Sequence, residues 1–114
     1  MSLHDQHCVP CEGGVQPLSR EEFTVYLEQI PKWDVTEGDK ALVREFECKN
    51  FDEVIEKITG IARIAKTEGH HPDLNLHDFK KLTVRLSTHA IGGLSINDFV
   101  MAVKIQSDCF GEKA

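Results

Sequence analysis

The 114-residue sequence predicts an α+β domain of two layers: a four-stranded antiparallel sheet with helices on one face, in the order helix, two strands, helix, two strands, helix. Three observations carry this. Apolar residues recur with a period of two at Leu82, Val84 and Leu86 and, less cleanly, at Leu42, Phe46 and Cys48; they recur with a helical period from Phe51 to Ala65; and Gly, Pro and Asp/Asn turns separate these runs.

Residues 1–18 read as an irregular leader, with Gly13, Gly14 and Pro17 as breakers. Ser19-Arg20-Glu21-Glu22 then supplies a capping box, and Phe23, Tyr26, Leu27 and Ile30 share one face of the helix that follows. Pro31 is expected to stop it, because its ring cannot continue the hydrogen-bond ladder. Trp33 opens an extended segment, and residues 33–37, the turn Glu37-Gly38-Asp39-Lys40 and residues 41–48 form a hairpin. Arg44 interrupts the apolar face of its second strand.

Asn50 caps the next helix, with Glu53 three residues on. Its stripe of Phe51, Val54, Ile55, Ile58, Ile61, Ala62 and Ala65 is the strongest helical signal in the chain. Gly60 costs about 1 kcal/mol relative to Ala there and leaves room for another element to approach; Gly69 provides the stop. Beyond Pro72, Leu74 and Leu76 alternate with polar residues, and the Leu82, Val84, Leu86 strand completes a second hairpin. Gly92 and Gly93 break the chain, Ser95 with Asp98 begins a last helix, and Phe99, Ala102, Val103 and Gln106 mark its inner face before a polar tail at 109–114. The domain therefore spans 19–108.

Composition excludes several function classes. A net charge of −6 argues against a phosphate-binding surface, since affinity for nucleic acid rests on Lys and Arg, so no nucleic-acid partner is expected. The amino terminus has neither a basic nor an apolar signal region, and no stretch approaches the ~20 apolar residues of a membrane span, so a soluble, cytoplasmic protein with no membrane partner is expected. The cysteines Cys8, Cys11, Cys48 and Cys109 fit a reduced chain. Cys8 and Cys11, preceded by His4 and His7, have the ligand types of a zinc site, but no second pair follows at zinc-ribbon spacing, so they read as part of the leader and no metal is assigned.

The chemistry lies in the histidines. His70-His71-Pro72 follows the Gly69 helix stop, where carbonyl dipoles favour a protonated ring, and His89 follows the last strand in Leu86-Ser87-Thr88-His89. Imidazole both gives and takes a proton near neutral pH, so a cluster of them without a metal-ligand pattern points to acid/base chemistry on a small molecule.

These residues carry a resemblance. Lys66, His70-His71-Pro72, Phe79, His89 and Asp98, together with Gly92-Gly93-Leu94-Ser95 and Asn97-Asp98-Phe99, resemble the signature of the pterin-4a-carbinolamine dehydratase family over about residues 18–105. The resemblance implies dehydration of a 4a-hydroxytetrahydropterin to quinonoid dihydropterin and water, which recycles tetrahydropterin and needs no metal or organic cofactor. By position it implies that His70, His71 and His89 are the acid/base set, that Asp73, Leu74, Ser87, Thr88 and Asp98 are substrate-binding, and that Asp98 is an accessory carboxylate placed where it could orient a histidine or cap a helix. It further implies a homodimer or homotetramer, with a protein-binding cofactor role or a role in molybdopterin-cofactor metabolism as alternatives. Two departures stand out. Lys66 occupies a position where many members carry Glu, which Glu68 or Asp73 would have to replace, and Leu74-Asn75-Leu76 lacks the aromatic residue of animal members.

Overall fold

The computed structural model describes residues 2–10 and 15–112; Cys11, Gly13 and Gly14 lie outside them. Helix α1 (Arg20–Leu27), strands β1 (Asp34–Thr36) and β2 (Ala41–Glu47), helix α2 (Phe51–Glu68), strands β3 (Asp73–His77) and β4 (Lys81–Leu86) and helix α3 (Ile96–Lys104) follow one another in the expected order. The strands form one antiparallel sheet in the order β1-β2-β4-β3. Register follows the apolar pattern: Leu42 faces Leu86, Phe46 faces Leu82 and Leu74 faces Val84, which places these side chains on the helix-covered face.

Local signals set most helix ends. Ser19 and Glu22 form the reciprocal capping box of α1, Asn50 accepts from the Glu53 N–H at the start of α2, and Gly69 ends α2 with φ 67°, a left-handed conformation that a side chain would strain. Helix α1 stops at Leu27, before Pro31 can act. Gln29 and Ile30 donate instead to Tyr26 and Leu27, and that tightened turn drops Ile30 into the core, fully buried.

Helix α3 departs from expectation. It has no polar outer side, because every residue from Asn97 to Lys104 is buried. Phe99 packs against Phe23 and Tyr26 of α1 with ring centroids 5.8 and 5.5 Å apart, and Leu3, in a 3-10 turn (Leu3–Asp5) of the leader, joins the same core. A helix buried all round belongs at the centre of its layer, with α1, α2 and the leader around it and the sheet beneath. Residues 2–10 of the leader are thus packed against the domain, where the sequence reads as irregular chain.

The expected polar tail also packs. After α3 the chain widens into a π turn (Ile105–Cys109), and Phe110 stacks on Phe46 at 3.8 Å. Arg44, which interrupts the apolar face of β2, is buried there: its guanidinium lies 4.2 Å from the Phe46 ring and donates to Gln106 Oε1 and to Glu112 Oε2, the latter at 2.6 Å. Gly60 has the close neighbour its position suggested, since a Cβ there would lie 3.1 Å from Cys109 Sγ. Among the described residues no helix is long and apolar enough to cross a membrane.

Candidate active site

Two loops on the helix side of the sheet build the site. The first runs from the Gly69 stop of α2 through His70, His71 and Pro72 into β3. The second leaves β4 at Leu86, pairs Thr88 with Gly93 in an isolated bridge, and closes a 3-10 turn (His89–Ile91) on Gly92, whose N–H donates to the His89 carbonyl. The bridge pins the ends of the second loop and fixes His89 directly beside it. Between the loops lies a cavity of about 580 Å³, lined by Lys66, Glu68, His70, His71, Ser87 and His89 among others, and within the size range of small-molecule sites.

Behind this cavity a buried carboxylate orients one ring. Asp98 is fully buried and its Oδ1 lies 2.7 Å from His70 Nε2, whose side chain is 12% exposed. A carboxylate oxygen accepts, so Nε2 carries the hydrogen and Nδ1 is left as the ring's acceptor. The other oxygen, Oδ2, accepts from Thr88 Oγ1 at 2.8 Å and from the Ser95 N–H at 3.0 Å. With the Thr88 hydrogen given to Asp98, the Ser95 hydroxyl donates to Thr88 Oγ1 at 2.8 Å and itself accepts from the Asn97 N–H. The chain of donors ends on the carboxylate, and each bond polarises the next. Asp98 therefore does two things at once, one oxygen completing the capping box of α3 and the other holding His70.

The remaining residues divide. His71 and His89 are exposed and line the cavity with His70. Ser87 lines it too, though its hydroxyl donates to the Lys40 carbonyl at 2.7 Å, and the Thr88 hydroxyl is committed to Asp98 and Ser95. Asp73 and Leu74 stand outside the lining residues: the Asp73 carboxylate accepts from Arg85 Nη1 at 3.0 Å, and Leu74 packs against the core. Arg85 also holds Glu37 through two bonds of 2.6 and 2.7 Å, and these bonds raise its pKa above the usual guanidinium value. Phe79 lies at the far end of the β3–β4 hairpin, 62% exposed, with φ 52°.

Both acids that could replace a missing Glu at position 66 already hold other partners. Asp73 is tied to Arg85. Glu68, with a side chain only 4% exposed, accepts from the Cys8 N–H at 2.8 Å, lies 2.9 Å from His7 Nδ1 and pairs with Lys104 Nζ at 3.3 Å. Burial alone would raise its pKa, but these donors and the Lys104 charge outweigh burial and hold it at about 2. The leader follows this carboxylate into the site, so Cys8, Val9 and Pro10 complete the cavity wall. Nothing in the sequence marks them for this, since their partners Glu68 and Asn97 lie 60 and 88 residues away. Among the described residues no three His, Cys, Asp or Glu are grouped to hold a metal ion.

The site is that of an α+β domain with three imidazoles in a cavity of small-molecule size, one of them backed by a buried carboxylate, groups that can give and take protons. The sequence model of one family, pterin 4 alpha carbinolamine dehydratase, matches residues 16–107. The chain belongs to this family. It is 37% identical over 107 residues to a protein of Halorhodospira halophila, covering 94% of this chain and 97% of that one, and 41% identical over 106 residues to a protein of Chlorobaculum tepidum, covering 91% and 95%. Both are named, provisionally, as pterin-4-alpha-carbinolamine dehydratases. The fold also matches the crystal structure of a Brucella melitensis protein described as a transcriptional coactivator/pterin dehydratase, with a TM-score of 0.74, 25% identity, and coverage of 82% of this chain and 99% of that one.

Proposed function

We propose that the protein dehydrates a 4a-hydroxytetrahydropterin to quinonoid dihydropterin and water, with His70, His71 and His89 as its acid/base groups. The observation that carries this is the meeting of the three rings in one cavity, with His70 oriented by Asp98. Hydroxide leaves poorly, so an acid protonates the 4a oxygen as the C4a–O bond breaks; the N5 lone pair forms the C4a–N5 double bond, and a base removes the N5 proton. His70 is the base in this scheme, because the Asp98 carboxylate stabilises the imidazolium formed when Nδ1 accepts. His71, just past the C-terminal carbonyls of α2, and His89 supply the acid. Ser87 and the wall around it hold the pterin edge, and Thr88 and Asp98 act from behind the rings.

Stopped-flow dehydration of freshly generated 4a-hydroxytetrahydropterin tests the reading. Wild type should accelerate it strongly, and His70→Ala and His89→Ala, each shown to be folded, should each lose about 10²- to 10⁴-fold. No acceleration by folded wild type would overturn the proposal.

We further propose that the active form is a homodimer or homotetramer. Strand β3 is a sheet edge, and Phe51 and Ile55 leave an apolar patch on α2, 49% and 44% exposed. A second copy of the chain would cover both surfaces. Phe51→Asp with Ile55→Asp should shift the species seen by light scattering to smaller mass, and a wild type that is monomeric at micromolar concentration would refute the assembly. If wild type is monomeric and shows no turnover, the patch instead serves a partner protein, in line with the coactivator description of the Brucella protein.

A further inference from the structure

We infer that residues 8–10 of the leader are a working wall of the pterin cavity, strapped down by the positioning residues Glu68 and Asn97, and that this wall sets how tightly a pterin is held. The inference rests on the dehydratase reading and extends it to a segment outside the stretch that the family model matches, 16–107.

The strap is fastened beside each member of the His70–Asp98 pair. Glu68 lies two residues before His70, and it accepts from the Cys8 N–H and meets the His7 ring. Asn97 lies one residue before Asp98, is almost fully buried, and clasps Val9 from both sides: its Oδ1 accepts from the Val9 N–H at 3.0 Å and its Nδ2 donates to the Val9 carbonyl at 2.6 Å. The Cys8 thiol adds a contact of 3.7 Å to the Asn97 carbonyl. Further back, the buried Leu3, the Leu3 N–H bond to Gln29 and the His4–Asp108 contact at 2.8 Å anchor the leader. A floppy segment would carry none of these bonds.

Chemistry assigns the wall its task. Asn97 occupies both Val9 backbone groups, so the surface offered to a ligand comes from the side chains of Cys8, Val9 and Pro10, which are apolar or soft. The two loops contribute imidazoles and a hydroxyl. A flat heterocycle with polar edges, such as a reduced pterin, needs both kinds of surface, since apolar contact holds its faces and placed polar groups orient its edges.

The test uses the full chain and 7,8-dihydrobiopterin, which lacks the 4a hydroxyl and cannot be dehydrated. Alkylation of Cys8 by iodoacetamide, followed by peptide mass spectrometry, should slow at least fivefold at saturating dihydrobiopterin, while alkylation of Cys109 is unaffected. Asn97→Ala should raise KM about tenfold with kcat within about threefold, and Val9→Ala, which leaves the strap's backbone bonds in place, should raise KM severalfold. Thermal melts confirm that both variants fold; if Asn97→Ala does not, Val9→Ala and the alkylation decide. If wild type turns over but dihydrobiopterin leaves Cys8 alkylation unchanged and neither variant moves KM, the strap is mere packing and the inference fails while the dehydratase reading stands. If wild type neither turns over nor binds dihydrobiopterin, both fall.

Discussion

Replacing Asp98 by Asn tests the link between the buried carboxylate and the chemistry. Asp98 receives three donors: His70 Nε2 on Oδ1, and Thr88 Oγ1 and the Ser95 N–H on Oδ2. An amide has one oxygen and one NH₂. Turned one way, it sets NH₂ against the Ser95 N–H, donor to donor. Turned the other, it keeps both bonds from Ser95 and Thr88 and donates to His70 Nε2, forcing the ring into the Nδ1–H tautomer. The second arrangement wins because it leaves the cap intact, and it removes the free acceptor from the cavity side of the reaction. A hydrogen bond to a charged group contributes about 1.5 to 3 kcal/mol. Lost in the transition state, that is about 10- to 150-fold in rate. Stopped-flow dehydration at fixed pH should therefore fall by that factor in Asp98→Asn, with a melting temperature near that of wild type. Asp98→Ala should also destabilise the fold, by about 2 to 4 kcal/mol, because two buried donors lose their acceptor. A folded Asp98→Asn variant within twofold of wild type would refute the role given to this carboxylate.

Other perturbations have equally definite outcomes. A Cβ at Gly93 would lie 2.8 Å from Pro17 Cβ, so Gly93→Ala should displace the end of the leader and cost about 1 to 3 kcal/mol in urea unfolding; no loss would mean that Pro17 yields freely. Glu68 has its pKa depressed to about 2, so its contribution is complete above its ordinary value near 4.5 and is lost as pH falls through 2. Wild type should accordingly exceed Glu68→Gln by at most about 3 kcal/mol at neutral pH, the two converging in acid, and a gap that persists at pH 1.5 would contradict this. Arg44→Ala removes the buried partner of the half-exposed Glu112 and should cost about 2 to 3 kcal/mol by thermal melt, while an unchanged melt would show that the carboxy-terminal packing contributes nothing.

How much was legible before any coordinates depends on the range of the signal. Alternation at Leu82, Val84 and Leu86 is a property of neighbouring residues, and so are the caps at Ser19, Asn50 and Gly69; these elements lie where the pattern puts them. The exceptions arise where distant packing overrides a local rule. Helix α1 ends before its proline because Ile30 is more stable in the core than on another helical turn. Arg44 breaks the apolar alternation of β2 and is nevertheless buried, since Phe46, Gln106 and Glu112 enclose its guanidinium. Helix α3 carries too few polar residues for a surface helix, a sign of its central place that the inner-face reading passed over.

The site follows the same division. By itself the sequence determined the fold class and the order of the elements, and it named His70, His71, His89 and Asp98 as candidates, because periodicity, capping residues and a spaced motif are written along the chain. Only the tertiary structure decided that Asp98 grips His70, that Thr88 serves this carboxylate, that Asp73 turns to Arg85, and that the leader crosses the cavity on Glu68 and Asn97. These contacts join residues from 10 to 88 positions apart. Each requires the sheet and helices to be packed before its partners meet, and a local pattern cannot specify which distant side chain will arrive.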